Sequence, residues 1–300
     1  SNTSRLAQNS NVLGNTEEAN KVNNRIDNVL ANAETPPTVK EEEIASYSTK
    51  VSGSTSNRLT NIRITCKKLN GTTVNTGETF SFCEITGPST AEEGYKEATM
   101  FLDGKEVQSL GGGNCQVSST LYNAVLDVPD LKVIERHEHG KKVSYVPDGK
   151  DAAVSYGSID FKFKNNRDYP IKIEASYAGG KLTCKIIGTD VDGSYVKFTS
   201  ERTGDVAYNT KYENDATIPE GQQVTKQAGS NGGKAVSYRL VYDKDGKLLS
   251  KKKEANSYYK GHEAIIAVGT MKVEQAPEAQ PEATPATPET TIPAEPTTTQ

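Results

Sequence analysis

Three consecutive glycines, Gly111–Gly113, followed by Asn114 and Cys115, constrain this 300-residue chain more than any other feature. Glycine lacks a Cβ, so such a run favours neither helix nor strand and permits positive φ and close backbone approach. From Cys115 onward the pattern reverses: Val117, Leu121, Ala124 and Val125 fall on one helical face. Pro129 cannot sit in a helix interior, so the helix ends before it. Strand-like segments surround this unit, among them 79–82, 132–139, 143–146, 152–156, 159–164, 171–177 and 181–187. The fold class that follows is α+β: an antiparallel sheet packed on a helix that begins at the reactive Cys115, plus a small all-β C-terminal module.

A thiol at a helix N-terminus sits near about half a positive charge, which favours thiolate and makes a nucleophile. The loop residues Gly112, Gly113, Asn114 and Gln116 bring backbone N–H groups that suit an oxyanion hole or a peptide's backbone. A cysteine nucleophile needs a base, and the same region holds two histidines, His137 and His139. On a strand they would share one face, with His139 the first choice of base. Asp151, Asp160 and Tyr156 are candidates for a third, orienting group, and Ser118, Ser119 and Arg136 for support around it. The plainer alternative is that Cys115 is a small buried hydrophobe at a tight helix entry. His-x-His beside a cysteine also resembles a zinc set. No metal site and no cofactor is expected, however. Cys66 and Cys184 lie in apolar-periodic stretches and read as core, whereas Cys83 reads either way.

Hydrophobic residues make up 34% of the chain, low for a fully packed protein. The deficit is placed at the ends. Residues 1–44 are expected to be flexible with one short helix over 16–33, and the Pro/Thr/Glu-rich residues 273–300 to be disordered. Between them lie a catalytic domain over 45–200 and a β module over 201–272, in which Asp243–Gly246 marks a hairpin turn. A net charge of −4 with mixed signs excludes a nucleic-acid footprint. No run of eighteen apolar residues exists, so nothing in the sequence is expected to span a membrane. Nor does a charged-then-apolar leader appear. A membrane anchor, if the protein has one, is not in this chain. Four cysteines without Cys-x-x-Cys spacing permit disulfides but do not require them at this size.

The segments Thr76–Phe82, Gly94-Tyr95, Gly111–Ala124, Glu135–His139, Val143–Pro147, Gly149–Ala152, Asp160–Asn165 and Tyr169–Ile171 together resemble the VanW family over about residues 45–190. Two positions depart from its pattern: Cys83, where Asn is usual, and Gly140, where Ser is usual. The resemblance implies a bacterial cell-envelope protein outside the cytoplasm. It also implies L,D-transpeptidation of peptidoglycan, with Cys115 as nucleophile and stem peptides as substrate. Residues 204–270 are similar to the G-five (G5) domain, on Ile218–Gly221, Gly229, Gly232, Tyr238, Tyr242, Asp245-Gly246 and Val268–Thr270. That similarity implies glycan strands as a second partner. The alternatives are a non-catalytic wall-binding protein and a cysteine peptidase acting on stem peptides.

Overall fold

The Thr55 hydroxyl accepts the Arg58 N–H and caps helix α1, Ser56–Leu69. Ile62, Cys66 and Leu69 recur at four- and three-residue spacing, and this stripe is buried against the strand Ile171–Ala178. The computed structural model describes residues 39–102 and 105–272. The helix expected over 16–33, most of the flexible 1–44 segment and the 273–300 tail lie outside the described residues.

The element order is β1 (Glu42–Lys50), α1, β2 (Thr72–Val74), β3 (Thr79–Ser81), α2 (Phe82–Thr86), β4 (Glu97–Leu102), β5 (Lys105–Leu110), α3 (Asn114–Leu126) and β6 (Leu131–Glu135). Next come β7 (Lys162–Asn165), β8 (Ile171–Ala178), β9 (Lys181–Gly188), β10 (Tyr195–Val206), β11 (Thr210–Pro219), β12 (Gln223–Gln227), β13 (Gly232–Tyr242), β14 (Leu248–Tyr259) and β15 (Ala264–Met271). By contacts they separate into two compact units, residues 39–209 with 229–262 and residues 210–228 with 263–272.

In the first unit the main sheet runs β1-β9-β8-β2, all antiparallel. Helix α1 packs on β8, and α3 packs on β9 and β1. Ile62, Leu69, Leu121, Val125, Phe161, Phe163, Ile173 and Leu182 form the shared core. A small sheet β3-β7-β6 and the hairpin β4-β5 flank it, and β10-β13-β14 completes the unit. Strand β10 continues unbroken through position 200, where a domain boundary was expected. The second unit is a three-stranded sheet, β11-β15-β12, in which β11 and β15 run parallel.

The expected fold is corrected in two respects. No helix among the described residues begins at a cysteine: α1 begins at Ser56, α2 at Phe82 and α3 at Asn114. Gly113 caps α3 in the left-handed conformation, φ 116°, and the Asn114 N–H closes the preceding turn onto Gly111 O, so the helix starts one residue before Cys115. A single antiparallel sheet behind one helix is also replaced, among the described residues, by five small sheets with mixed pairing and two long helices. The expected one-sided α3 is in fact buried on every side from Gln116 to Leu126. Two of its buried polar residues bond back one turn: Thr120 Oγ1 donates to Gln116 O at 2.7 Å, and Asn123 Nδ2 to Ser119 O at 2.8 Å.

Candidate active site

The glycine loop delivers Cys115 because only glycine fits it. A Cβ on Gly112 would meet the Ala98 carbonyl oxygen at 2.7 Å, and Gly113 carries positive φ against Ile62. Asn114 fastens the loop: its Oδ1 accepts from Thr65 Oγ1 at 2.7 Å and its Nδ2 donates to Ser89 Oγ at 3.0 Å. Gln116 is buried, donating to Thr49 Oγ1 and Lys50 O. The N–H groups of Asn114 and Gln116 are already bonded, to Gly111 O and Gly113 O. Those of Gly113 and Cys115 have no acceptor among the described residues.

Cys115 Sγ is half-buried and faces the backbone of Val154. It accepts the Val154 N–H at 3.5 Å and donates to Val154 O at 3.4 Å. Ser119, one helical turn on, fixes the same segment by accepting the Ala152 N–H at 2.9 Å. Sulfur, His139, Tyr145, Tyr156 and Asn114 line one cleft of about 590 Å³. A second groove, about 480 Å³, is lined by Asp127, Asp130, Asp190 and Asp192, with neither thiol nor imidazole.

The two histidines part company. Strand β6 stops at Glu135, so His137 and His139 do not share a strand face. His137 Nε2 lies 3.0 Å from Glu135 Oε1 with 43% of its side chain exposed. His139 is buried in the cleft wall, its Nδ1 2.5 Å from Asp151 Oδ2, which also accepts the His139 backbone N–H at 2.7 Å. That contact directs Nε2 away from Asp151, and the Tyr145 hydroxyl sits 3.5 Å from it. Burial opposes charge on His139, but the Asp151 bond and the nearby Cys115 sulfur outweigh it and raise its pKa to about 9. Burial likewise opposes charge on Asp151, yet His139 and Arg136 hold its carboxyl below the usual range.

Asp151 is fully buried and every oxygen is engaged. Oδ1 accepts from Arg136 Nη2 at 3.1 Å and from the Tyr259 hydroxyl at 2.5 Å. Tyr259 in turn accepts the Gly149 N–H at 2.7 Å, and Arg136 Nη1 donates to Ser257 Oγ at 2.8 Å. Arg136 is thus a brace behind Asp151. Asp160 lies elsewhere, accepting from Ser81 and the Cys83 N–H at the start of α2. Ser118 is buried with no partner for its hydroxyl, and Tyr156 is 59% exposed at the rim. All four cysteines are free thiols. Among the described residues no three His, Cys, Asp or Glu side chains cluster as metal ligands would.

Sequence reading missed Tyr145, Tyr259, Ser257 and Arg58. The first lies in the quoted Val143–Pro147 segment, so its motif was visible though its role was not. Tyr259 and Ser257 come from a strand more than a hundred residues beyond Asp151, and no local pattern signals that pairing.

One cleft thus brings a half-buried thiol and a buried imidazole held by a carboxylate into the same domain. Residues 57–187 match the family described as VanW like protein, and residues 197–271 match the G5 domain. The chain carries a VanW-like domain followed by a G5 domain, as its motifs led one to expect. Uncharacterized protein YoaR of Bacillus subtilis (strain 168) is 38% identical over 159 residues, 53% of this chain and 52% of its own length. Vancomycin B-type resistance protein VanW of Enterococcus faecalis (strain ATCC 700802 / V583) is 34% identical over 122 residues, 39% of this chain and 44% of its own length. The chain therefore spans about half the length of the curated relatives it matches. Among solved structures, an IgA1 protease G5 domain is 18% identical, with 28% of this chain and 96% of that chain covered and a TM-score of 0.21. No helix among the described residues is long and apolar enough to cross a membrane.

Proposed function

We propose that this protein is a peptidoglycan L,D-transpeptidase that forms 3-3 cross-links through an acyl-enzyme on Cys115, at the cell wall outside the cytoplasm. The observation that carries the reading is the buried His139, held from behind by Asp151, in the wall of the cleft that the half-buried Cys115 also lines. His139 Nε2 takes the thiol proton, and Sγ attacks the carbonyl carbon of the third residue of a donor stem peptide. The developing oxyanion is received by the unpaired Cys115 and Gly113 N–H groups. The bond to the terminal D-alanine breaks, and His139 returns the proton to the departing amine. A side-chain amine from a second stem then gives its proton to His139 and attacks the thioester, forming the new amide and restoring the thiol.

Asp151 binds the Nδ1 side of His139 and leaves Nε2 to carry the proton passed from Cys115, and the raised pKa of the imidazole, about 9, favours holding it there until the leaving amine takes it. Arg136 and Tyr259 keep Asp151 in place. Val154 N–H remains a donor to sulfur when the thiol proton leaves. The resistance-protein name of one relative, VanW, agrees with a task in the cell envelope. The G5 domain would hold the enzyme to glycan strands.

The test is incubation of the protein and its Cys115→Ala variant with purified tetrapeptide muropeptides, read by mass spectrometry. Cysteine-dependent 3-3 dimers, or an acyl adduct on Cys115, are expected. Shortened stems without dimers would make it a peptidase, and unchanged muropeptides would leave a wall-binding protein.

A further inference from the structure

Arg58, on the first turn of α1, lines the Cys115 cleft and, among the described residues, is the one lysine or arginine there. Nη1 donates to Ser54 Oγ at 3.0 Å and Nη2 to Gln116 Oε1 at 2.7 Å, both neutral acceptors. A guanidinium has five N–H donors, so three have no partner among the described residues. Neither does any described carboxylate lie within ion-pair distance, although exposed Glu97 lines the same cleft.

The other withdrawn arginines differ. Arg136 has Asp151, Arg239 donates to the carbonyls of Leu126, Val128 and Leu131, and Arg167 donates to those of Pro129 and Thr189. The donors of Arg136 and Arg239 are taken up by the fold, while the buried Arg167 Nε has no partner among the described residues. Arg58 carries its charge partly buried, against neutral partners, onto the cleft that holds Cys115, whereas Arg167 lines the groove that Asp127, Asp130, Asp190 and Asp192 make acidic. A guanidinium fork in such a place matches a carboxylate in geometry and charge.

Position narrows the ligand. Gln116, which Arg58 touches, directly follows Cys115. A peptide carboxylate one residue beyond the attacked carbonyl lies about 3.5 Å further along the chain, a short step from the sulfur. We infer that Arg58 is a carboxylate subsite, selecting peptides whose free C-terminus lies one residue past the carbonyl that Cys115 attacks. This rests on the transpeptidase reading for the role of Cys115. The same cation would release its ligand with the leaving amino acid, because the acyl-enzyme retains no carboxylate there.

Binding to the full chain carrying Cys115→Ala separates this subsite from chemistry. The probes are N-acetyl-L-lysyl-D-alanine and its C-terminal amide, titrated by NMR up to millimolar concentration. The acid is expected to bind about tenfold more tightly than the amide, the scale of one charged hydrogen bond. Arg58→Ala should bring the acid down to the amide's affinity. Arg58→Lys keeps the charge without the fork and should fall between, provided its thermal melt matches the parent. Equal binding of both probes, binding of neither, or an acid preference that survives Arg58→Ala overturns the subsite. An Arg58-dependent acid preference in a protein whose wild type forms no Cys115-dependent product would instead overturn the transpeptidase reading and leave the subsite standing.

Discussion

Cys66 and Cys184 face each other's side of the same core, one on α1 and the other on β9, while Cys115 stands at the mouth of a cleft on α3. The core thiols are 3% and 0% exposed and have no polar partner. Burial pushes the Cys66 thiol up to about 12 and Cys184 well above its ordinary value, so both stay protonated and inert. Cys115 has a backbone donor, an imidazole and open space. Side-chain type is constant across the two regions, so surroundings decide the chemistry. In one region the thiol replaces a small aliphatic group; in the other a glycine loop presents it and the 137–156 segment equips it.

That contrast can be broken at its largest effect by removing the base. His139→Ala should lower Cys115-dependent turnover by about a thousandfold, within the range for a general base. His137→Ala, two residues away but paired with half-buried Glu135, should leave it within about twofold. Equal losses from both would dissolve the distinction between the two histidines. Next, Tyr259→Phe keeps the ring but removes a donor to Asp151, and turnover should fall about tenfold, the scale of one hydrogen bond. A drop in kcat without a matching rise in KM would separate positioning of Asp151 from substrate binding.

Smaller effects sharpen the core side. Cys184→Ser places a hydroxyl in an apolar site and should cost about 1–3 kcal/mol in denaturant unfolding, with thiol reactivity at Cys115 unchanged. Proton linkage gives the smallest effect. His139 holds its proton more tightly in the folded chain, with its pKa raised from 6.5 to about 9. Its stabilisation is therefore complete below pH 6.5 and fades as pH climbs through about 9. Melts of His139→Gln followed across that window should lack this decline.

Much of the site was legible because its pieces are local in sequence. Gly111–Cys115 announces a helix entry, and Glu135–His139 and Gly149–Ala152 supply imidazole and carboxylate within a few residues. The helix start slipped by one because Gly113, not Asn114, takes the cap. Residues 143–146 and 152–156 alternate like strands yet form none. Their backbone groups bond to other partners instead: Ala152 N–H to Ser119 Oγ, Ala153 N–H to His137 O and Val154 N–H to Cys115 Sγ. Periodicity reports which faces are buried, but not whether a ladder or a neighbouring side chain takes the hydrogen bonds. Strand β14, within the stretch matched to the G5 domain, reaches Asp151 through Tyr259, and only the folded chain reveals that link. The parallel β11–β15 pair was invisible for the same reason, since its register is set across half a module.

The central claim is that Cys115 alone among the four thiols is chemically active. Brief treatment of the native protein with limiting iodoacetamide at neutral pH, followed by peptide mapping, tests it most directly. One adduct is expected, on Cys115, lost in His139→Ala at the same pH and absent from Cys115→Ala, whose thermal melt stays close to that of the parent. Labelling of Cys66, Cys83 or Cys184 at a comparable rate, or a large drop in the melt of Cys115→Ala, would contradict it and make Cys115 one more buried thiol.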